Sequence, residues 1–472
     1  MTARTLLRPR FDAATKERLA RSAAATEGAD IATSDISDWL AARRRACSAR
    51  VRPIPFAQLD GWSFTTDTGN LKHDSGRFFS VEGLHVVRPS TEWQQPIIVQ
   101  PEIAILGILA KEFDETLHFL MQAKMEPGSP DLVQLSPTVQ ATHSNYTKAH
   151  GGSAVRYLEY FLNCDREQVL TDVLQSEHGA WFYHKRNRNM IVEVDGDVPV
   201  HDDFRWFTLG QLGALLHQDN VVNMDARTVL ASAPVTYPER RALSSDNDVL
   251  SWFTEQRAGH DVRARRIPLR QAEGWFRGTH AIQHVDHKFF RVVAVAVEQA
   301  DNREVSSWTQ PLLEPVGPGI VGFAYRTFDG VPHVLVHARV EGGLLDTAEL
   351  GPTVQCAPTN YAHLPTADHP LFLDVMLDAA PSRIRYAAVH SEEGGRFRNA
   401  ESRYMIVETD EETTPAKAPP GYHWITPGQL SWLAGHSHYV NVQARTLLAV
   451  LNTRTADIDM SRHEPSAGDP LH

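Results

Sequence analysis

The sequence predicts a mixed α/β fold built from two tandem domains that arose by internal duplication. Motifs of the first half return in the second, as Gly61-Trp62 does in Gly274-Trp275 and Ala226-Arg227-Thr228 does in Ala444-Arg445-Thr446. The offset grows only from 213 residues at Trp62 to 218 at Arg227, so whole domains are repeated rather than short solenoid units. Strand and helix patterns also alternate without a regular βαβ rhythm, which favours a mixed sheet sandwiched by helices.

The repeat sets the expected domain limits. We expect the first domain over residues 33–232 and the second over 248–452, joined by a Pro- and Ser-containing linker at 233–247. Residues 1–32 combine charged side chains with a run of alanines, so we expect a partly ordered N-terminal extension. The polar tail 453–472 contains Pro and Gly and is expected to be flexible.

Each repeat is predicted to open with a helix and to continue with strands. Thr33-Ser34-Asp35 is a potential cap for a helix in which Ile36, Trp39 and Leu40 share one face, and Trp252 and Phe253 hold the matching places. Residues 77–81 and 288–293 are rich in Phe and Val and predict strands. A further strand at 189–194 and two helices, at 208–216 and 225–231, complete the first repeat.

The strand predicted at 117–126 has two distinct faces. One face is apolar, and the other carries the candidate site residues His118, Gln122, Lys124 and Glu126. A cation and an acid two residues apart on a strand lie roughly 7 Å apart on one face, which suits opposite sides of a small substrate. The second repeat keeps the chemical types in His333, Arg339 and Glu341. Cross-strand ion pairs on a solvated sheet would give the same pattern.

Three other groups of residues are candidates for substrate binding. The first group is a polar loop, whose hydrogen-bonding side chains and aromatic ring could bind a base or a sugar. The same residues are also typical of an ordinary strand end. They are Thr142, His143, Ser144, Asn145, Tyr146 and Thr147, with Thr359, Asn360 and Tyr361 in the second repeat. Trp62 and Trp275 are suited to stack on a base but are equally typical of a core. Lys185, Arg186 and Arg188 could meet a diphosphate or be isolated surface charges.

Composition and missing motifs exclude several function classes. The formal net charge of −12 argues against a general nucleic-acid binder, and no apolar run has the length of a membrane span. Three scattered cysteines favour a reducing cytoplasm over a disulfide framework or a thiolate metal site. No HExxH, GxGxxG or Walker sequence occurs, so we expect neither a metal site nor a cofactor, and a reaction that is redox-neutral overall.

Several runs of sequence resemble the NDP-hexose 2,3-dehydratases of deoxysugar biosynthesis. They include Phe-Phe-Ser-Val-Glu-Gly at 78–83, Phe-Leu-Met-Gln-Ala-Lys-Met-Glu-Pro-Gly at 119–128 and Val-Gln-Leu-Ser-Pro-Thr-Val-Gln-Ala-Thr at 133–142. The resemblance extends over about residues 36–452. It implies a homodimer whose subunit contains two duplicated Nudix-like domains, each with a pocket for a dTDP-sugar, one catalytic and the other vestigial.

The resemblance further implies elimination of water across C2 and C3 of dTDP-4-keto-6-deoxy-D-glucose, without a cofactor. The labile 3,4-diketo product would pass to a 3-ketoreductase. Glu126 or His118 would take the C3 proton, Lys124 would stabilise the enolate, and Tyr146 or His143 would protonate the leaving hydroxyl. We expect the first domain to be catalytic, because Pro358 in the second removes a backbone donor that His143 keeps.

Three alternatives to the dehydratase stay open at this stage. A Nudix pyrophosphohydrolase would cut the diphosphate, but neither repeat contains the acidic GX5EX7REUXEEXGU helix that holds its Mg²⁺. A non-catalytic nucleotide-sugar-binding protein would use the same charged residues without turnover. An epimerase would share the C3 deprotonation and need no leaving group.

Overall fold

The fold is known from a computed structural model that describes residues 13–142, 155–239, 241–299 and 306–458. The first repeat contains α1 Ala13–Ala24, α2 Ile36–Ala46, β1 Arg50–Ile54, β2 Trp62–Phe64, β3 Leu71–His73, β4 Ser80–Arg88, β5 Thr91–Val99, β6 Ala104–Phe113, β7 Thr116–Met125, β8 Val133–Pro137, β9 Val139–Ala141, α3 Glu159–Leu162, β10 Val169–Ser176, β11 Arg186–Glu193, β12 Phe204–Phe207, α4 Leu209–Leu216 and α5 Met224–Ala231.

From α2 onward, the second repeat follows the same order of elements. It contains α6 Asp246–Gly259, β13 Arg263–Ile267, β14 Trp275–Arg277, β15 Ala281–His284, β16 Phe290–Glu298, β17 Trp308–Pro315, β18 Gly319–Phe328, β19 Val331–Val340, β20 Ala348–Gly351, β21 Val354–Cys356, α7 Leu373–Leu377, β22 Ile384–Ser391, β23 Glu401–Glu408, β24 Tyr422–Ile425, α8 Pro427–Ala434 and α9 Val442–Asn452. The mixed α/β class with two repeated domains is therefore confirmed.

Each repeat is centred on a seven-stranded mixed sheet. In the first repeat the order is β10-β11-β6-β7-β12, with β8 added beside β7 and β9 beside β6. The pairing of β11 with β6 is parallel, and the other pairings are antiparallel. Helices α4 and α5 cover one face, and α3 packs on the other through Phe161. The sheet is thus buried on both sides, which positions β7 at the centre of the domain.

Two smaller sheets exchange strands between the repeats. β1 of the first repeat pairs with β16, and β13 of the second pairs with β4, so each five-stranded sheet contains one strand from the other repeat. Local sequence patterns do not specify such a partner. The exchange brings β17, with Trp308 and Thr309, beside the loop that precedes Trp62.

Helices α5 and α9 pack together where the two repeats meet. The Arg227 guanidinium donates to Thr446 Oγ1 at 3.1 Å and to the Ser391 carbonyl at 2.8 Å. Arg445 makes the reciprocal bonds, to Thr228 Oγ1 at 2.7 Å and to the Ser176 carbonyl at 2.5 Å. Both arginines are fully buried. They therefore brace the interface between the repeats rather than contact a ligand.

Some predicted element limits were wrong. The strand expected from residue 77 begins at Ser80, because residues 74–79 form a turn with Gly76 at φ 66°. Thr33–Asp35 forms a 3-10 turn, and Asp35 makes no side-chain capping bond to α2. The partly ordered N-terminal extension stays a prediction; within it residues 13–24 form α1, whose Leu19 is fully buried in the core.

Candidate functional site

A cavity of about 690 Å³ opens at the end of β7 in the first repeat. Its wall comes mainly from that repeat, but the second repeat contributes two segments, 307–310 and 393–396. The side chains with charges or hydrogen-bonding groups that face it include Arg43, His73, Arg77, Gln122, Lys124, Glu126, Gln140, Thr142, Arg156, Lys185, Asn187, Asp225, Glu393 and Arg396. The site is therefore composite, and neither repeat forms it alone.

The floor of the cavity is the polar face of β7. Strand alternation puts Met121, Ala123 and Met125 into the main core, and it directs the side chains of Gln122 and Lys124 to the other face. Both of these line the cavity, as does Glu126 directly after the strand. The structure thus brings together three of the four residues predicted on this face.

Gln140 on β9 links the charged groups of the floor. Its carbonyl oxygen Oε1 accepts a hydrogen bond from Lys124 Nζ. Its amide nitrogen Nε2 donates to Glu126 Oε1 at 3.2 Å and also to Asp225 Oδ2. The second oxygen of Glu126 accepts from the backbone N–H of Gly394, at 3.1 Å, in the other repeat. One side-chain amide therefore orients a cation and two carboxyl groups on one wall.

Two further carboxyl groups shape the electrostatics of the cavity. Burial raises the pKa of Asp225 well above its usual value, and the negative charges of Glu393, Glu126 and Glu177 add to the effect. Burial also raises the pKa of Glu393 to about 7, opposed by Arg396 and reinforced by Glu177 and Glu126. Carboxyl groups crowded in a buried site do not all ionise near neutral pH, because like charges repel strongly there. The cavity can hold a neutral carboxylic acid at pH 7.

Three basic side chains, Lys185, Arg396 and Arg77, line the cavity together with the acids. Lys185 is buried, donates to the Glu102 carbonyl, and has a pKa lowered by burial. Arg396 from the second repeat packs over the Phe79 ring, 4.4 Å from its centroid, and donates to Gln100 at 3.0 Å. Arg77 is exposed beside Phe78, whose ring is 44% exposed. These positions suit a phosphorylated ligand that enters with its aromatic group near Phe78.

His118 does not lie at the cavity. It is 2% exposed, its Nε2 accepts from the Ala29 backbone N–H at 3.0 Å, and its Nδ1 lies 2.8 Å from the Thr116 carbonyl. Burial lowers its pKa. A strand carries residues four apart roughly 13 Å from each other, so His118 is at the far end from Gln122. The histidine anchors the N-terminal segment here, and a role as catalytic base stays a sequence-based prediction that this position does not favour.

The remaining first-repeat candidates divide between the cavity and its surroundings. Thr142 lines it, and so does Trp62, which is only 7% exposed and belongs largely to the smaller-sheet core. The Trp62 Nε1 donates to the Thr309 carbonyl at 3.0 Å. Arg188 is absent from the cavity wall and forms a two-pronged ion pair with Asp172 at 2.7 and 2.6 Å. His143, Ser144, Asn145, Tyr146 and Thr147 lie outside the described residues.

The candidates of the second repeat bond to other protein groups, within that repeat or, for Trp275, in the first repeat. Arg339 Nε donates to Glu341 at 2.8 Å, and Trp275 donates to the Gln94 carbonyl at 2.9 Å. Thr359 Oγ1 donates to the Val316 carbonyl, and Asn360 Oδ1 accepts from the Phe289 N–H. Burial raises the pKa of Tyr361. None of these five lines the cavity of the first repeat.

Sequence reasoning missed Asp225, Glu393 and Arg396 as members of the site. Asp225 is at the start of a helix, and the other two come from the second repeat, so no local pattern joins them to β7. A signal did exist in the comparison of the two repeats. Asp225 corresponds to Gln443 in the other repeat, and Glu393 corresponds to His178. The chemical type of the side chain therefore changes at these positions, although most motifs keep it.

The arrangement can carry out proton transfer at two neighbouring carbons. It supplies carboxyl groups of different proton affinity, a lysine beside them and a partly apolar enclosure. Within the described part of the chain, no cluster of three or more His, Cys, Asp or Glu side chains has the geometry of a metal site. No helix among the described residues is long and apolar enough to cross a bilayer.

Comparison with known proteins gives consistent results over most of the chain. Residues 33–233 and 246–451 match the profile of the family described as NDP-hexose 2,3-dehydratase. The chain is 57% identical over 460 residues to a dTDP-4-dehydro-6-deoxy-alpha-D-glucopyranose 2,3-dehydratase of Amycolatopsis orientalis, with 96% of this chain and 97% of the relative covered. An enzyme of the same name from Saccharopolyspora spinosa is 49% identical over 448 residues (90% and 92% covered). Another from Streptomyces violaceoruber is 46% identical over 436 residues (89% and 97% covered).

Proposed function

The chain belongs to the NDP-hexose 2,3-dehydratase family, and we propose that the cavity of the first repeat is where it performs this reaction. The enzyme is a lyase that removes water across C2 and C3 of dTDP-4-keto-6-deoxy-D-glucose, the 4-dehydro sugar nucleotide in the names of its relatives. The product is the 3,4-diketo-2,6-dideoxy sugar nucleotide. The observation that carries the assignment to this cavity is the joining of Lys124, Glu126 and Asp225 through Gln140.

Glu126 is the proposed base. The C3 hydrogen is acidic because C3 is adjacent to the C4 ketone, so a carboxylate can remove it when the enolate is stabilised. Each Glu126 oxygen accepts one hydrogen bond, from Gln140 or from Gly394, and both bonds fix its orientation. A carboxylate has about four lone-pair positions, so capacity to accept the proton remains. Lys124 supplies the positive charge toward the enolate oxygen.

The nucleotide would occupy the outer part of the cavity. We assign the diphosphate to Arg77 and Arg156, which are exposed at the cavity mouth, with Arg396 deeper inside. Phe78 offers an accessible ring for the thymine, and Trp62 closes the wall behind it, with the two ring centroids 6.3 Å apart. Gln122 and Thr142 lie near the sugar in this orientation. Ser144, Asn145 and Thr147 remain sequence-based candidates for substrate contacts, and Tyr146 and His143 remain candidates for proton donors.

The first repeat is the proposed catalytic one because its ionisable set is richer. Three ionisable residues of this cavity have different counterparts in the other repeat. Asp225 corresponds to Gln443, Glu393 to His178, and Lys185 to Ala400. A glutamine in place of an acid cannot transfer a proton in the required way. Arg339, Trp275, Thr359, Asn360 and Tyr361 would then belong to a vestigial site, with Arg188 contributing only to the surface of the first repeat.

Further features of the proposal concern the enzyme's setting. The seven-stranded mixed sheet with helices on both faces supports a Nudix-like fold for each repeat. All three cysteines are unpaired, which supports a reducing cytoplasm. We also propose a homodimer, a 3-ketoreductase that consumes the reactive diketone, and a place in deoxysugar biosynthesis for antibiotic-like products. Light scattering of the purified protein tests the dimer directly.

The test of the activity is incubation of dTDP-4-keto-6-deoxyglucose with the protein, a 3-ketoreductase and NADPH. Chromatography and mass spectrometry of the products distinguish the possibilities. Elimination is established by a 2,6-dideoxy nucleotide sugar that forms only with both enzymes. Recovery of unchanged nucleotide sugar would support a binding protein, a C3 epimer would support an epimerase, and free dTMP would support a hydrolase.

A further inference from the structure

We propose that Asp225 is the catalytic residue that protonates the leaving C2 hydroxyl, and that Glu393 of the second repeat keeps the Asp225 carboxyl protonated. This inference rests on the proposed dehydration in the first repeat. It adds a residue that sequence patterns did not indicate, and it gives the second repeat a direct part in the chemistry of the first.

The position of Asp225 is unusual for an ionised side chain. It lies in the first turn of α5, is 4% exposed and lines the cavity. Oδ2 accepts from Gln140, whereas Oδ1 is buried and has no hydrogen-bond partner in the described structure. An ionised oxygen left in this state costs several kcal/mol of desolvation. A protonated Oδ1 instead presents a hydroxyl donor that can reach a ligand in the cavity.

The surroundings favour the neutral acid. Burial makes the largest contribution to the raised pKa of Asp225, followed by the charges of Glu393, Glu126 and Glu177. Two cations lie near Asp225. Burial lowers the pKa of Lys185, and Lys124 donates to Oε1 of the Gln140 amide whose Nε2 bonds Asp225. The N-terminal end of α5 favours a negative charge, but this effect is small compared with burial and close like charges. Three carboxyl groups and desolvation outweigh it.

The geometry also pairs Asp225 with the proposed base. Gln140 Nε2 donates to an oxygen of each, so the two oxygens lie within about 6 Å of one another. That separation allows one group to act at C3 and the other at the neighbouring C2. In the second repeat Gln443 replaces Asp225, and Gln355, the counterpart of Gln140, donates to Glu341 and accepts from Asn441.

The proton and electron balance of the step is closed. Glu126 takes the C3 proton, and the electron pair of the C3–H bond passes through the enolate to form the C2=C3 double bond. The C2–O bond breaks as its oxygen takes the Asp225 proton, and water leaves. The C3 enol then loses its hydroxyl proton and gains one at C2, giving the C3 ketone. No oxidant or reductant is needed.

The experiment uses the full-length variants Asp225→Asn and Asp225→Gln, because glutamine is the residue that the second repeat holds at this place. Gln443→Asn is the matched control. Two rates are measured in D₂O: formation of trapped 2,6-dideoxy product, and deuterium exchange at C3 of unreacted dTDP-4-keto-6-deoxyglucose. General acid catalysis contributes typically about 100-fold or more. We expect both Asp225 variants to lose elimination by at least that factor while C3 exchange stays within about threefold of wild type.

Other outcomes would overturn the inference. If Asp225→Asn eliminates water at a rate within about threefold of wild type, Asp225 is not the acid. The same conclusion follows if a variant with the Tm of wild type loses C3 exchange and elimination to the same extent. A wild-type enzyme that neither exchanges nor eliminates contradicts the dehydration itself, which separates the two failures. If the Asp225 variants keep the wild-type rate of water elimination and Tyr146→Phe loses it, Tyr146 is the general acid.

A second variant tests the role of Glu393 without changing Asp225. Glu393→Gln removes one negative charge near Asp225, so the pKa of the acid should fall. Because the acid acts in its protonated form, the high-pH limb of kcat/KM should move to lower pH, by at least about 0.3 pH unit. An unchanged limb would contradict the proposed coupling between the repeats.

Discussion

Replacing Glu126 by glutamine separates the chemistry of the site from its stability. Glu126 accepts two buried hydrogen bonds, from Gln140 at 3.2 Å and from the Gly394 N–H at 3.1 Å. A glutamine has only one acceptor oxygen, so its NH₂ group must face one of these donors. Gln140 cannot simply turn over, because its other end accepts from Lys124.

The expected cost of this change can be worked out from those contacts. One buried hydrogen bond is lost and a donor is left without an acceptor, which costs about 1–3 kcal/mol. For a domain of roughly 200 residues, each kcal/mol lowers the Tm by about 2–4 °C. Loss of the base should lower kcat by about 100-fold to 10,000-fold, since general base catalysis contributes that much. This corresponds to about 3–5 kcal/mol in the activation barrier.

The matched control is Glu341→Gln in the second repeat. Glu341 Oε1 accepts from both Arg339 and Gln355, so the single oxygen of glutamine can keep both bonds. The assay is the initial rate of trapped 2,6-dideoxy product, accompanied by thermal melting of each variant. We expect a large loss of rate only in Glu126→Gln. Loss in Glu341→Gln with full activity in Glu126→Gln would refute the placement of catalysis in the first repeat.

Three further predictions address the cation, the pH dependence and the interface. Lys124→Met should lower kcat by about 10-fold or more, because the enolate loses its stabilising charge. The control Arg339→Met should keep the wild-type kcat, and steady-state kinetics measures both variants. In the folded protein the pKa of Glu393 is about 7, above its ordinary value of 4.5. Its contribution to the free energy of unfolding is therefore fully present below about pH 4.5 and is lost as the pH rises through 7. The Tm of Glu393→Gln relative to wild type should therefore rise between pH 5 and pH 8 in calorimetry. Arg227→Met should lower the Tm by several degrees, because the buried carbonyl of Ser391 loses its donor; an unchanged Tm would contradict its role as a brace.

The parts of the fold that depend on local periodicity could be predicted from the sequence. The alternating faces of β7 and the helix at 208–216, which begins with a capping box at Thr208, follow from side-chain spacing and capping chemistry. The duplication could be predicted from repeated motifs such as Gly61-Trp62, because whole-domain repeats keep an almost constant offset.

The features that depend on contacts between distant residues could not be predicted. The pairing of β1 with β16 and of β13 with β4 depends on the packing of one repeat against the other. The same packing brings Glu393 into the first repeat's cavity. His118 shares the alternation of Lys124, and only the tertiary structure shows that it bonds Ala29 at the opposite end of the strand.

The most direct test of elimination in this cavity is proton NMR of the trapped product formed from dTDP-4-keto-6-deoxyglucose in D₂O. We expect a 2,6-dideoxy nucleotide sugar with solvent deuterium at C2, because the enol formed by loss of water takes its new proton there. We also expect Glu126→Gln to lower the rates of both product formation and C3 exchange by about 100-fold or more. A nucleotide sugar that keeps its C2 oxygen, or dTMP in its place, would contradict elimination in this cavity.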